Sequence, residues 1–250
     1  MITRMHHVGI VVRSLAEAYR FYRDTLGLPL VKEAEVVDQG VRAALLSAGE
    51  TEIELLEPTR DGTGVARFLD ARGEGLHHVC FEEFDLEGAL ARLAARGVSL
   101  IDRVPRPGLA GMIAFLHPRS CAGVLVELAR PAAPAPEMES GVRIKRLVVG
   151  AEDPRVTTQA FQDLFGFPEV AMNGGPRVML TVGRGAVLVV PADDLGGEVG
   201  MVALSLVAPD FPALAVALEA SSVKLLKGTG EVTVDPVSSH GVHLHISRYE

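Results

Sequence analysis

The chain has no tryptophan, only three tyrosines and only two cysteines, Cys80 and Cys121. Without Trp, with so few Tyr and with nine Phe, an aromatic platform for stacking single-stranded nucleic acid is not expected. Two cysteines make neither a disulfide framework nor a zinc ribbon, so a reducing cytoplasm is the expected compartment. Positive charge is also in deficit. Lys and Arg number 24 against 32 Asp and Glu, giving a net charge of −8. That balance argues against a nucleic-acid partner held by a broad basic surface. It leaves room for an anionic small molecule held by a few arginines. Long apolar runs are absent too. The greasiest stretch, Gly200 to Ala217, is broken by Pro209, Asp210 and Pro212, short of the roughly 18 residues that would span a bilayer. The opening MITRMHH carries no apolar segment of the signal-peptide kind. No membrane partner is expected.

What is present is a globular composition, 48% hydrophobic and 22% charged over 250 residues. At roughly 100–200 residues per domain this suits one large domain or two small ones. Internal repetition decides between them. Met5-His6-His7-Val8 returns as Leu76-His77-His78-Val79, and Leu15 and Ala18 match Leu86 and Ala89 at the same offset. The stretch from Phe21 to Pro29 is echoed from Ala160 to Pro168. Repeats of this kind mark a fold built from copies of one supersecondary unit.

Each quarter opens with a short apolar run: His7–Val12, His78–Glu82, Arg146–Gly150 and Val202–Val207. Runs of this length suit strands. A helix follows. In the first quarter Ser14-Leu15-Ala16-Glu17 reads as a capping box, and Gly27 as the stop. About three further β runs come next, such as Gly40–Ser47 and Thr51–Leu56. The expected fold is α+β, with four β-α-β-β-β units in two domains of curved mixed sheets. The Pro-rich stretch Pro131–Ser140 reads as a linker. It divides the chain into residues 1–132 and 141–250. A looser connection, Pro58–Gly75, holds a short helix around Val65–Leu69.

Polar residues inside apolar runs carry the chemistry. Glu127 lies within Gly123-Val124-Leu125-Val126-Glu127-Leu128, and Glu54 within Glu52-Ile53-Glu54-Leu55-Leu56. A buried carboxylate is costly unless paired or coordinated to a metal. His7 and His78 each open a β run. Each of the first two quarters therefore supplies one His and one Glu, at separations of 47 and 49 residues. If the units pair about a pseudo-twofold axis, the four groups converge as an N₂O₂ set. That set suits one divalent ion of the Mn, Fe, Co, Ni or Zn kind. Each residue alone also has a bland reading, a structural strand His or a solvent-facing Glu. The repetition favours ligation. Parity leaves Glu52 as an alternative to Glu54, and His6 and His77 as alternatives to His7 and His78. In the second half the matching positions are Arg146, Leu188, Ala203 and His245, which do not make a metal site. The histidines at 240, 243 and 245 read as a polar-faced terminal strand.

These residues resemble the vicinal oxygen chelate superfamily, whose members pair β-α-β-β-β units around one divalent metal. Within it the first half, about residues 4–130, is most similar to the methylmalonyl-CoA epimerases. The likeness rests on His6 to Val12, the Asp38-Gln39-Gly40-Val41 turn, Gly49 to Pro58, Gly75 to Glu82, and His117-Pro118-Arg119-Ser120 with Gly123 to Leu128. It implies metal ligation by His7, Glu54, His78 and Glu127. It implies an acyl-CoA substrate whose α-proton is removed on one face and returned on the other. Metal coordination of the carboxylate and thioester oxygens would stabilise the enolate-like charge. Glu127 is implied as both ligand and one proton-transfer group. Some epimerases place a second Glu where this chain has Ala43, which leaves the second acid/base unassigned, with Gln39 and Glu54 as weak candidates. Arg119 and Ser120 either bind the substrate's carboxylate or thioester region or form a turn. The resemblance implies one pair of units per chain, often dimeric. The second pair is expected to serve as a built-in pseudo-partner, making the protein a monomer or a homodimer. Rival readings are a glyoxalase I-like isomerase or lyase on thiol conjugates, an extradiol dioxygenase, and a metal-free ligand-binding protein.

Overall fold

A computed structural model describes residues 1–133, 138–170, 172, 175–227 and 232–249. The first quarter runs β1 (Ile2–Val11), α1 (Leu15–Tyr19), β2 (Leu30–Val36), β3 (Val41–Ala48) and β4 (Thr51–Pro58). Helix α2 (Gly64–Arg72) connects it to the second: β5 (Gly75–Glu83), α3 (Leu86–Ala95), β6 (Arg106–Gly108), β7 (Gly111–Leu116) and β8 (Val126–Arg130). The third holds β9 (Arg143–Ala151), α4 (Pro154–Phe165), β10 (Glu169–Val170), β11 (Val178–Val182) and β12 (Gly185–Pro191). The fourth holds β13 (Gly200–Val207), α5 (Phe211–Ala220), β14 (Leu225–Lys227), β15 (Val232–Val234) and β16 (His243–Ser247). The β-α-β-β-β order expected from the repeats is thus present four times.

The strands form two eight-stranded mixed, curved sheets. One has the order β2-β3-β4-β1-β5-β8-β7-β6, the other β10-β11-β12-β9-β13-β16-β15-β14. Each strand number in the second is eight above its counterpart in the first, so the two halves share one topology. β5 and β8 run parallel, whereas β3 pairs antiparallel with both β2 and β4. By proximity the residues fall into two compact units. One comprises Met1–His7, His78–Ala135 and Arg146–Val202; the other comprises Val8–His77, Pro136–Lys145 and Ala203–Glu250. Of the expected linker, Pro131–Ser140, residues 134–137 lie outside the described residues.

Local chemistry explains the elements. Ser14 caps α1 by accepting from the Glu17 backbone N–H at 3.4 Å. The reciprocal half of the expected capping box is missing, because the Glu17 carboxylate accepts from Arg20 Nη1 at 2.9 Å instead. Helix α1 then widens into π-type turns over Arg20–Thr25, and the chain leaves through Gly27 at φ +71°, which only glycine adopts without strain. Asp85, Asp153 and Asp210 cap α3, α4 and α5 in the same way. β1 starts at Ile2, five residues before the expected His7. β8 starts later than the apolar run from Gly123 predicts, because residues 118–123 are taken up by turns. In the first unit Phe81, Phe161, Phe165 and Phe167 pack their rings together in the core. In the second unit Tyr22 is fully buried, and its hydroxyl donates to the Ser239 carbonyl at 2.9 Å.

Candidate metal centre

His7 lies in the middle of β1 and His78 in the middle of β5, which are neighbours in the first sheet. Both are buried, His7 completely. Their Nε2 atoms are 3.0 Å apart, with rings nearly perpendicular. Glu127, on β8 and 3% exposed, straddles the pair. One of its oxygens is 3.6 Å from His7 Nε2 and the other 3.8 Å from His78 Nε2. The pairing of β5 with β8 sets Cys80 opposite Glu127. Phe115 packs its ring edgewise on His78, at 5.3 Å between centroids.

The donor set fits a divalent ion. Imidazole nitrogens bind zinc-like ions at about 2.0–2.1 Å, so two such bonds at a right angle put the nitrogens about 3 Å apart. That is the separation observed. The Glu127 carboxylate beside the two imidazoles also offsets part of the positive charge that a buried ion would bring.

Glu52 and Glu54 are both buried. His7 faces His78 through its Nε2. His77 packs edgewise on Phe68 at 4.9 Å. Register explains what Ala43 lacks. Leu45 pairs with Glu54 and Ala43 with Leu56, so Ala43 lies on the sheet face that carries Glu54. It offers no titratable group there. Lys32, paired with Leu45, lies on that face as well.

The remaining residues predicted for the site are placed elsewhere. Gln39 is half-buried in a short 3-10 turn between β2 and β3. Arg119 and Ser120 belong to the 3-10 turn Pro118–Ser120 between β7 and β8. There the Arg119 backbone N–H donates to His117 Nδ1 at 3.2 Å, and the Ser120 hydroxyl accepts from the Ser99 backbone N–H at 3.0 Å. The Arg119 side chain is exposed. In the second half the exposed His245 meets Thr233 at 3.1 Å, and His240 meets Glu74 at 3.0 Å. His6 is the alternative to His7 that the sequence left open. It is 4% exposed, and its Nδ1 is 2.9 Å from His7 Nδ1. The doublet itself was the available signal: a second buried histidine is costly unless its ring nitrogens are used.

Residues 6–116 match the family model of the Glyoxalase/Bleomycin resistance/Dioxygenase superfamily. The chain is 37% identical over 131 residues to an ethylmalonyl-CoA/methylmalonyl-CoA epimerase of Cereibacter sphaeroides, covering 51% of this chain and 98% of that one. Among solved structures it is similar to a methylmalonyl-CoA epimerase in complex with methylmalonyl-CoA and NH4+. There the identity is 36% and the TM-score 0.51, over 55% of this chain and all of that one. A mutant 4-hydroxymandelate synthase from Streptomyces coelicolor shares the fold of almost the whole chain. It covers 98% of this chain and 92% of its own length, with a TM-score of 0.75 at 15% identity.

Proposed function

The chain belongs to the glyoxalase/bleomycin resistance/dioxygenase superfamily, and from that premise we propose that it is a divalent-metal-dependent epimerase. Its substrate is methylmalonyl-CoA or a similar acyl-CoA, whose 2R and 2S forms it interconverts. The observation that carries the proposal is the buried pair His7 and His78 with Nε2 atoms 3.0 Å apart and Glu127 astride them. The epimerase relatives, each covered over nearly its whole length, support the substrate class. In this proposal residues 1–132 form the catalytic domain and residues 141–250 a second domain without ligands.

His7, Glu54, His78 and Glu127 would hold one ion of Co, Mn, Ni, Zn or Fe. When bound, such an ion supplies Lewis acidity toward the oxygens of a carboxylate and a thioester. The protein's own groups then do the rest. A Glu127 oxygen takes the α-proton on one face and returns it. Ala43 provides nothing for the opposite face, so the second proton comes from another group, with Glu54 as the titratable candidate and Gln39 able only to hydrogen-bond. Gln39, Arg119 and Ser120 are assigned to binding the substrate's carboxylate or thioester region.

The test is incubation of methylmalonyl-CoA with metal-loaded protein in deuterated water. Deuterium at the α-carbon, abolished by a chelator, is the expected result. No exchange with fully loaded protein overturns the epimerase. Turnover of a hemithioacetal in its place would mark a glyoxalase-type isomerase on the same donor set.

A further inference from the structure

His7 uses both ring nitrogens. Nε2 faces His78 at 3.0 Å, and Nδ1 faces His6 Nδ1 at 2.9 Å. A neutral imidazole carries one proton, so only one of these contacts has His7 as donor. On the Nε2 side stand a second imidazole nitrogen and both oxygens of Glu127. That side is rich in lone pairs and suits a cation. On the Nδ1 side, a His6 nitrogen stands at hydrogen-bonding distance, buried with the His7 ring in the same strand.

We infer that His6 is a positioning residue: its Nδ1 accepts the Nδ1 proton of His7 and holds His7 in the tautomer whose Nε2 lone pair faces the metal centre. The inference rests on the four-ligand centre proposed above. Histidines that bind metals donate their other ring N–H to an orienting acceptor, commonly a carboxylate or carbonyl, and losing that acceptor weakens metal binding. Here the acceptor is another imidazole, on the adjacent residue. The perpendicular rings, 5.1 Å between centroids, let the two nitrogens meet although consecutive strand residues face opposite ways.

A competing arrangement uses the same atoms. His6, His7 and Cys80 also offer three donors within 4.8 Å of one another. His7 cannot serve both sets while keeping its proton. An ion on His7 Nδ1 would force the proton to Nε2, against His78. The Glu127 carboxylate lies on the Nε2 side, and that favours Nε2 as the ligating nitrogen.

Two measurements test it. In the metal-free protein, nitrogen-15 NMR reports which His7 nitrogen is protonated. The expected result is Nδ1; a proton on Nε2 overturns the inference. Cobalt(II) affinity is then compared among wild type, His6→Leu and His6→Asn. Asn and Leu are similar in shape, but only the Asn amide oxygen can replace the lost acceptor. His6→Leu is expected to weaken binding roughly 10- to 100-fold, and His6→Asn to restore most of the loss. Equal affinity in wild type and His6→Leu overturns the inference, as does a thiolate-to-cobalt charge-transfer band, which would put the ion on Cys80. A wild type that takes up no cobalt defeats the four-ligand centre itself, and the tautomer measured without metal still decides the role of His6.

Discussion

His7 and His78 come from sequence positions 71 residues apart and bring their Nε2 atoms to 3.0 Å. That separation is the offset of the internal repeat. Neighbouring strands of two copies of one unit set equivalent residues face to face. In the proposed centre each copy would add a carboxylate, and the pseudo-symmetry of the repeat would become the symmetry of the donor set.

Loss of any one of the four donors should therefore be felt by all. His78→Ala and Glu54→Ala are each expected to lower bound divalent metal from about one equivalent per chain to well below it. Elemental analysis after dialysis against a fixed metal concentration gives the number. Full occupancy in either variant would remove that residue from the centre.

Glu127 is given two roles, and a single substitution separates them. Glu127→Gln keeps an oxygen for the ion but cannot take a proton. Metal content should stay near wild type while kcat falls at least roughly 100-fold, the usual scale of general acid–base catalysis. Wild-type kcat in this variant would give the proton-transfer role to another group.

Ala43 lies on the sheet face that carries Glu54, where a second proton-transfer group would act. With one positioned carboxylate, removal and return of the proton on the same face should outpace inversion. Deuterium should enter one epimer faster than the other epimer appears. Ala43→Glu should raise inversion relative to exchange, read from the two rates by NMR. A wild-type ratio near one would show that an unidentified acid is already well placed.

Much of this was legible because repetition is a signal that survives without a structure. The four β-α-β-β-β units, the helix near Val65–Leu69 and the His and Glu doublets all follow from periodicity and offset. Choosing within a doublet was beyond the sequence. Glu52 and Glu54 share a face by parity, so strand alternation does not choose between them. The contact between His6 and His7 was hidden for a similar reason: strand alternation says the two point apart, and only the ring geometry shows the Nδ1 contact. The turn at Pro118–Ser120 was open to two readings because a polar turn and a polar binding loop have the same composition.

Cys121 gives a prediction about stability. It is fully buried, and burial pushes its thiol up from 9 to about 12. Below pH 9 both folded and unfolded chains keep the proton, and the group adds no pH dependence. Between pH 9 and 12 the unfolded chain ionises while the folded one does not, so stability falls as pH rises. Buried Tyr22, raised mainly by desolvation and further by Glu74, acts in the same direction above pH 10. Denaturant titrations from pH 7 to 10.5 should show wild type losing about 1–2 kcal/mol more than Cys121→Ala. Parallel curves would mean that the thiol is reached by solvent in the folded state.

The central claim is that one ion sits among four named side chains, and anomalous diffraction from cobalt- or manganese-loaded crystals tests it most directly. The predicted map has a single strong peak bonded to His7 Nε2, His78 Nε2 and carboxylate oxygens of Glu54 and Glu127, with none among Arg146, Leu188, Ala203 and His245. A peak elsewhere, or fully loaded crystals with no density between His7 and His78, would contradict it.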